Sequence, residues 1–316
     1  MHAFVHAVGV FIHHLQQVAW IPLGIALGCH VVKLLFRARA WQNIVRAAYP
    51  DDRLKYHSAL GAYVAGVGVN SIAPARGGDL IKLYLVKHRM NDARYPTLAS
   101  TLVVETMFDF VVGGAIMIWA LSIGVLPTHQ VYSRIPTVDW KFFLLHERAT
   151  AIGLGVLAVL LLVLVLWARR RVEEFWSRVK LGFAILNDRP RFVLGVLFPQ
   201  AISWVLRIAS LFFFLRAFHV HASLHNALLV QVVDSLATLF PATPGGAGTK
   251  QGLIVYLFRG SAISRTLLLA FSVGMNIAIT ITNLVVGVIA LGLMARTLSF
   301  STLRRRARAE EQPAES

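Results

Sequence analysis

What the chain lacks narrows it first. It has one cysteine, Cys29, inside an apolar stretch, so a single chain can build neither a disulfide framework nor a thiolate metal site. Charge is scarce: Asp, Glu, Lys and Arg make up 15% of 316 residues, against 57% hydrophobic residues at a mean hydropathy of +0.65. That is more apolar surface than one soluble core of this size buries, which excludes an ordinary globular domain. The first 32 residues contain no Lys, Arg, Asp or Glu, and a cleavable signal needs a charged start, so none is expected. No nucleotide-binding glycine loop, metal-ligand spacing or nucleophile motif is present, so no cofactor, metal or catalytic residue is assigned. His219, His221 and His225 cluster without a carboxylate or thiolate beside them, and read as loop and interface residues rather than ligands.

Basic residues are what remain in excess, 31 against 15 acidic ones, for a net charge of +16. They fall in short runs between apolar stretches instead of on one soluble face, so they mark membrane topology and not a nucleic-acid partner. The bilayer is the expected solvent, and helix is the conformation that satisfies every backbone N–H and C=O there over about 20 residues. Stretches near 18–36, 97–120, 150–168, 192–215 and 266–294 meet that length, and residues 3–15 read as an interfacial helix. The expected architecture is therefore all-α: a polytopic integral membrane helix bundle forming one transmembrane domain over residues 1–296, with 297–316 as a tail. Lys and Arg flanking the spans divide 21 against 6, which places the C-terminus in the cytoplasm and the protein in the cell membrane.

Two apolar regions, 57–88 and 225–258, are interrupted by proline and glycine. The first break runs through Asn70, Pro74, Arg76, Gly77, Gly78, Asp79 and Lys82; the second runs through Pro241, Pro244, Gly245, Gly246, Gly248, Lys250 and Gln251. Each has a Pro-Ala step, a Gly-Gly pair, a basic and a polar residue, then an apolar helix with a tyrosine. For the spans to keep their orientation, each broken region enters and leaves on one side, which predicts two inverted-topology repeats, each containing a re-entrant hairpin. Breaks of this kind free backbone groups that hydrocarbon cannot satisfy, so they face protein, water or a polar ligand. A kink or a snorkelling arginine explains one such break. Two matching breaks in opposite halves favour a substrate site, with helix N-termini and cations meeting an anionic group.

Glu105 and Asp109 stand four apart on one helix face and must point inward, because a charge facing lipid costs about 2.5–3.5 kcal/mol. Arg207, midway along the fourth span, is their expected partner, and Asp234 is expected to pair with Lys250. Glu105, Asp109 and Arg207 serve equally as a structural ion pair or as part of a binding site.

At these positions the chain resembles the transmembrane, flippase-like domain of lysylphosphatidylglycerol synthases and its stand-alone relatives. The resemblance rests on Arg39 with Trp41, Asn70 to Tyr84, Glu105 with Asp109, and the P-x-x-P-G-G-x-G pattern from Pro241 to Gly248. It departs at Asp79 and Gln251, where the family usually has Glu, and at Thr106, where it has a basic residue. The resemblance implies a lipid-handling membrane domain. The residues after 296 are too few for the aminoacyl-transferase domain of the full synthases, so lipid aminoacylation is not expected.

The leading functional expectation is a translocase for a phospholipid or lipid-linked headgroup, anionic or zwitterionic, with Arg76, Lys82 and Lys250 on the phosphate and Glu105 and Asp109 balancing charge. The alternatives are a membrane-embedded enzyme acting on a polyprenyl-phosphate or phospholipid, and a partner subunit of a lipid-modifying enzyme.

Overall fold

The structure, a computed structural model, describes residues 17–52, 54–73, 77–123, 177, 179–239, 248–258 and 263–310. The expected interfacial helix at 3–15, the span at 150–168, and Pro74, Arg76, Pro241, Pro244, Gly245 and Gly246 of the breaks lie outside them. Among the described residues every regular element is helical: α1 Trp20–Ala48, α2 Tyr56–Asn70, α3 Gly77–Lys87, α4 Tyr95–Ser122, α5 Arg189–Ala217, α6 Leu224–Leu239, α7 Thr249–Leu257 and α8 Arg265–Glu310.

Proline and glycine punctuate these helices. Pro96 and Pro190 sit in the first turns of α4 and α5, where the missing N–H is no loss. α1 meets no proline between Pro22 and Pro50, so it continues well past the expected end near 36. α8 likewise continues to Glu310, its apolar part being Arg265–Met294. Inside α5, Pro199 cannot donate to the carbonyl four residues back, and the helix opens into a π turn over Val193–Leu197. The carbonyl so released, on Gly195, accepts the Asn43 side-chain amide of α1 at 2.8 Å.

Among the described residues four helices are long and apolar enough to cross a bilayer: Trp20–Ala48, Tyr95–Ser122, Arg189–Ala217 and Arg265–Met294. α2, α3, α6 and α7, with 15, 11, 16 and 9 residues, are shorter than the roughly 20 needed. Polarity is distributed as in a membrane protein. Phe110, Val111, Ile118, Leu194 and Val205 point outward, while Gln42, Lys82, Glu105 and Gln200 are buried.

Two large apolar cores, with a smaller cluster of Ala40, Ile44, Val104, Ile185 and Val196 between α1, α4 and α5, hold the described helices. One gathers α1, α2, α3 and α8 around Trp41, Tyr63, Leu83 and Met294. The other gathers α5, α6, α7 and α8 around Phe214, Val230, Ile254 and Phe271. α1 packs along α5, and α8 packs along α2. At the α2–α8 crossing a Cβ on Gly68 would stand 2.9 Å from the Gly287 Cα, so the two backbones touch. α1 borders both cores and carries polar residues between them.

Candidate functional site

Three helices, α1, α3 and α4, bring charge to one point, and α2 and α5 add neutral donors. Glu105 and Asp109 share the inward face of α4, and Arg37 of α1 reaches both: Nη2 donates to Glu105 Oε1 at 3.1 Å, while Nη1 and Nη2 donate to Asp109 Oδ1 and Oδ2 at 3.0 and 2.6 Å. Planar guanidinium geometry suits this two-oxygen grip. Arg37 Nε also donates to the Tyr63 hydroxyl of α2 at 2.7 Å, and that hydroxyl donates to Glu105 Oε1 at 2.7 Å. Lys82 of α3 donates to Glu105 Oε2 at 2.7 Å, and Trp204 of α5 donates its indole N–H to Asp109 Oδ1 at 2.8 Å. Lys82 Nζ also lies 4.3 Å and 4.0 Å from the ring centres of Trp41 and Tyr63, faces that attract a cation. Every carboxylate oxygen of Glu105 and Asp109 thus has a donor. A cavity of about 350 Å³ borders this network, opening against Asn70, Asp79 and Thr106 as well as Arg37, Tyr63 and Asp109.

The first break closes on itself beside that cavity. Asn70, the last residue of α2, accepts from the Gly78 backbone N–H at 2.7 Å and donates to Asp79 at 3.2 Å, so its side chain fastens the start of α3 to the end of α2. Gly77 and Gly78 form the first turn of α3. A side chain on Gly78 would collide with the Gly66 carbonyl, which explains glycine there. The hydroxyl of Ser71 accepts from Asn283 of α8 at 3.0 Å, and Asn283 in turn bonds His30 of α1 at 2.8 Å.

A second group lies in the other half. Lys250, in the first turn of α7, stands 2.9 Å from Asp234 of α6, the pairing expected from sequence. Arg207 stands 3.8 Å from the other Asp234 oxygen, and its guanidinium carbon is 5.1 Å from the Trp204 ring centre. Gly248 has φ +85°, a conformation that favours glycine. Gln251 turns back to accept the Gly248 N–H at 2.6 Å, so it caps α7.

The expected partnership of Arg207 with Glu105 and Asp109 is thus replaced: Arg37 takes both carboxylates and Arg207 turns to Asp234. Lys33 and Arg37 count among the 21 basic residues that the sequence places on the cytoplasmic flanks, but the uninterrupted α1 carries Arg37 into the bundle. Arg37, Lys33, Tyr63, Trp204 and His30 are the site residues that sequence reasoning missed. The spacing of His30, Lys33 and Arg37, three and four apart on one helix face, was the available signal.

The sequence pattern of the lysylphosphatidylglycerol synthase TM region matches residues 3–287. A UPF0104 membrane protein of Methanothermobacter thermautotrophicus is 22% identical over 283 residues, covering 82% of this chain and 79% of the relative. Another from that organism is 21% identical over 259 residues, covering 76% and 73%. One from Methanocaldococcus jannaschii is 22% identical over 204 residues, covering 60% and 79%.

Proposed function

The chain belongs to the lysylphosphatidylglycerol synthase TM-region family, and from that premise we propose that it moves a phospholipid or lipid-linked headgroup between the leaflets of the cytoplasmic membrane. The observation that carries this reading is the polar cavity among α1, α2, α3 and α4, inside a bundle whose outer surface is apolar. A headgroup crossing hydrocarbon needs such a polar interior, while its chains stay in lipid. In this reading α2–α3 and α6–α7 are re-entrant hairpins of two inverted repeats, the C-terminus is cytoplasmic, and rocking of one repeat against the other exposes the cavity to each leaflet in turn.

Glu105 and Asp109 are held by Arg37, Tyr63, Lys82 and Trp204 in a network that bridges helices, which supports transport over acid–base chemistry, where the base must be aimed at a substrate proton. The test is leaflet exchange in reconstituted vesicles, with phospholipids of different headgroup labelled in one leaflet. Wild-type protein is expected to accelerate exchange of at least one anionic or zwitterionic headgroup class. Exchange no faster than in protein-free vesicles for every class would remove the reading.

A further inference from the structure

The two charged groups differ in balance. Around Glu105 and Asp109, two carboxylates meet two cations, Arg37 and Lys82. Around Asp234 one carboxylate meets Lys250 at 2.9 Å and Arg207 at 3.8 Å, and Lys33 stands one turn from both His30 and Arg37 on α1, the helix packed along the one that carries Arg207. Among the described residues no second carboxylate stands within ion-pair distance of these cations, and neither the apolar stretch 150–168 nor the glycine-rich segment 240–247 contains an acidic residue.

We propose that Lys33, Arg207 and Lys250 form the seat of a phosphate group, either the phosphodiester of a lipid headgroup or the free ion. The proposal rests on the translocation reading and names the ligand chemistry within that interior. An unbalanced cation at membrane depth needs an anion or water. The 3.8 Å separation of Arg207 from Asp234 exceeds a hydrogen bond, so its guanidinium fork remains available for phosphate oxygens. Arg207, Lys250 and Asp234 keep 28%, 18% and 14% of their side-chain surface accessible, so a ligand can touch them. α7 adds its N-terminal backbone donors beside Lys250, where a helix favours negative charge. Two further polar atoms lack partners: His30 Nδ1, one turn before Lys33 on α1, and Gln231 Oε1, one turn before Asp234 on α6. Both residues are at least nine-tenths buried. Asp234 then acts as the spacer that holds Lys250 and Arg207 apart until the anion arrives.

The test uses the purified full chain in nanodiscs of neutral lipid. Short-chain phosphatidylglycerol, short-chain diacylglycerol and inorganic phosphate are the probes, and binding is read by the shift in unfolding temperature and by native mass spectrometry. Phosphatidylglycerol is expected to bind and diacylglycerol not. Lys33→Gln and Arg207→Gln are expected to weaken binding by about tenfold or more, the size of one lost charge-assisted contact. Lys33→Arg, which keeps the charge, and Lys55→Gln, which removes an exposed one, are expected to bind as wild type. Competition by inorganic phosphate identifies the free ion as a ligand; its failure to compete identifies a lipid-attached phosphate, and both support the site. Equal binding by wild type, Lys33→Gln and Arg207→Gln overturns it. Vesicle exchange separates this claim from the one it rests on. Binding that depends on Lys33 without exchange keeps the site and removes translocation; exchange with binding indifferent to both variants does the reverse.

Discussion

The charged groups of the two halves both set carboxylates against lysine and arginine, to opposite ends. In the N-terminal half, Arg37, Tyr63 and Lys82, joined by Trp204 of α5, enclose Glu105 and Asp109 until every carboxylate oxygen is engaged. In the C-terminal half, Asp234 is shared by cations that outnumber it, one of them beyond hydrogen-bonding distance. Within a bilayer the first arrangement clamps helices together, because removing one of its charged members leaves an opposite charge short of its partner. The second is incomplete by itself and is completed by an anion. Intramembrane charge is therefore read by its balance of partners, not by its presence.

Four substitutions break or sharpen that comparison. Glu105→Ala strands Lys82 and half of the Arg37 grip, and is expected to destabilise the fold by about 3–5 kcal/mol, seen as an early unfolding transition of the purified protein. A loss near zero would make the N-terminal group as loose as the other. Trp204→Phe keeps the ring beside Arg207 but removes the N–H on Asp109, for an expected loss of about 1.5–3 kcal/mol in the same assay. Gln251→Ala uncaps α7 at Gly248, with an expected cost of about 0.5–1 kcal/mol; faster hydrogen exchange confined to the start of α7 would confirm a cap, and unchanged exchange would refute one. Lys33→Gln removes one surplus cation, so ligand-free protein is expected to be unchanged or firmer by up to about 1 kcal/mol. A destabilisation like that of Glu105→Ala would mean that Lys33 is paired, and would end the contrast between the halves.

The helices were largely legible in sequence because their signals are local. The length of an apolar run reports the span, and proline reports a first turn or an opening, as at Pro96, Pro190 and Pro199. Charges were legible as residues but not as partners. Glu105 and Asp109 had to face inward, yet nothing along the chain distinguishes Arg37 from Arg207 as the cation they meet. Counting twenty residues also ended the first span before Arg37, because a basic residue after an apolar run normally marks the interface. The rule fails here because a helix turned toward other helices carries charge as readily as apolar groups, provided each charge is met.

Sequence by itself determined that this chain lives in a membrane, where four of its long helices run, which residues interrupt the shorter ones, and which family it belongs to. Those properties follow from hydropathy, backbone chemistry and motif order, each readable within a short window. Only the tertiary structure decided that Tyr63 and Lys82 close around Glu105, that α1 lends Arg37 to both Glu105 and Asp109, and that Asp234 stands between Lys250 and Arg207. Partnership between charges depends on which helix faces meet. Those faces are chosen by packing around Trp41 and Phe214, across sequence separations that no local pattern spans.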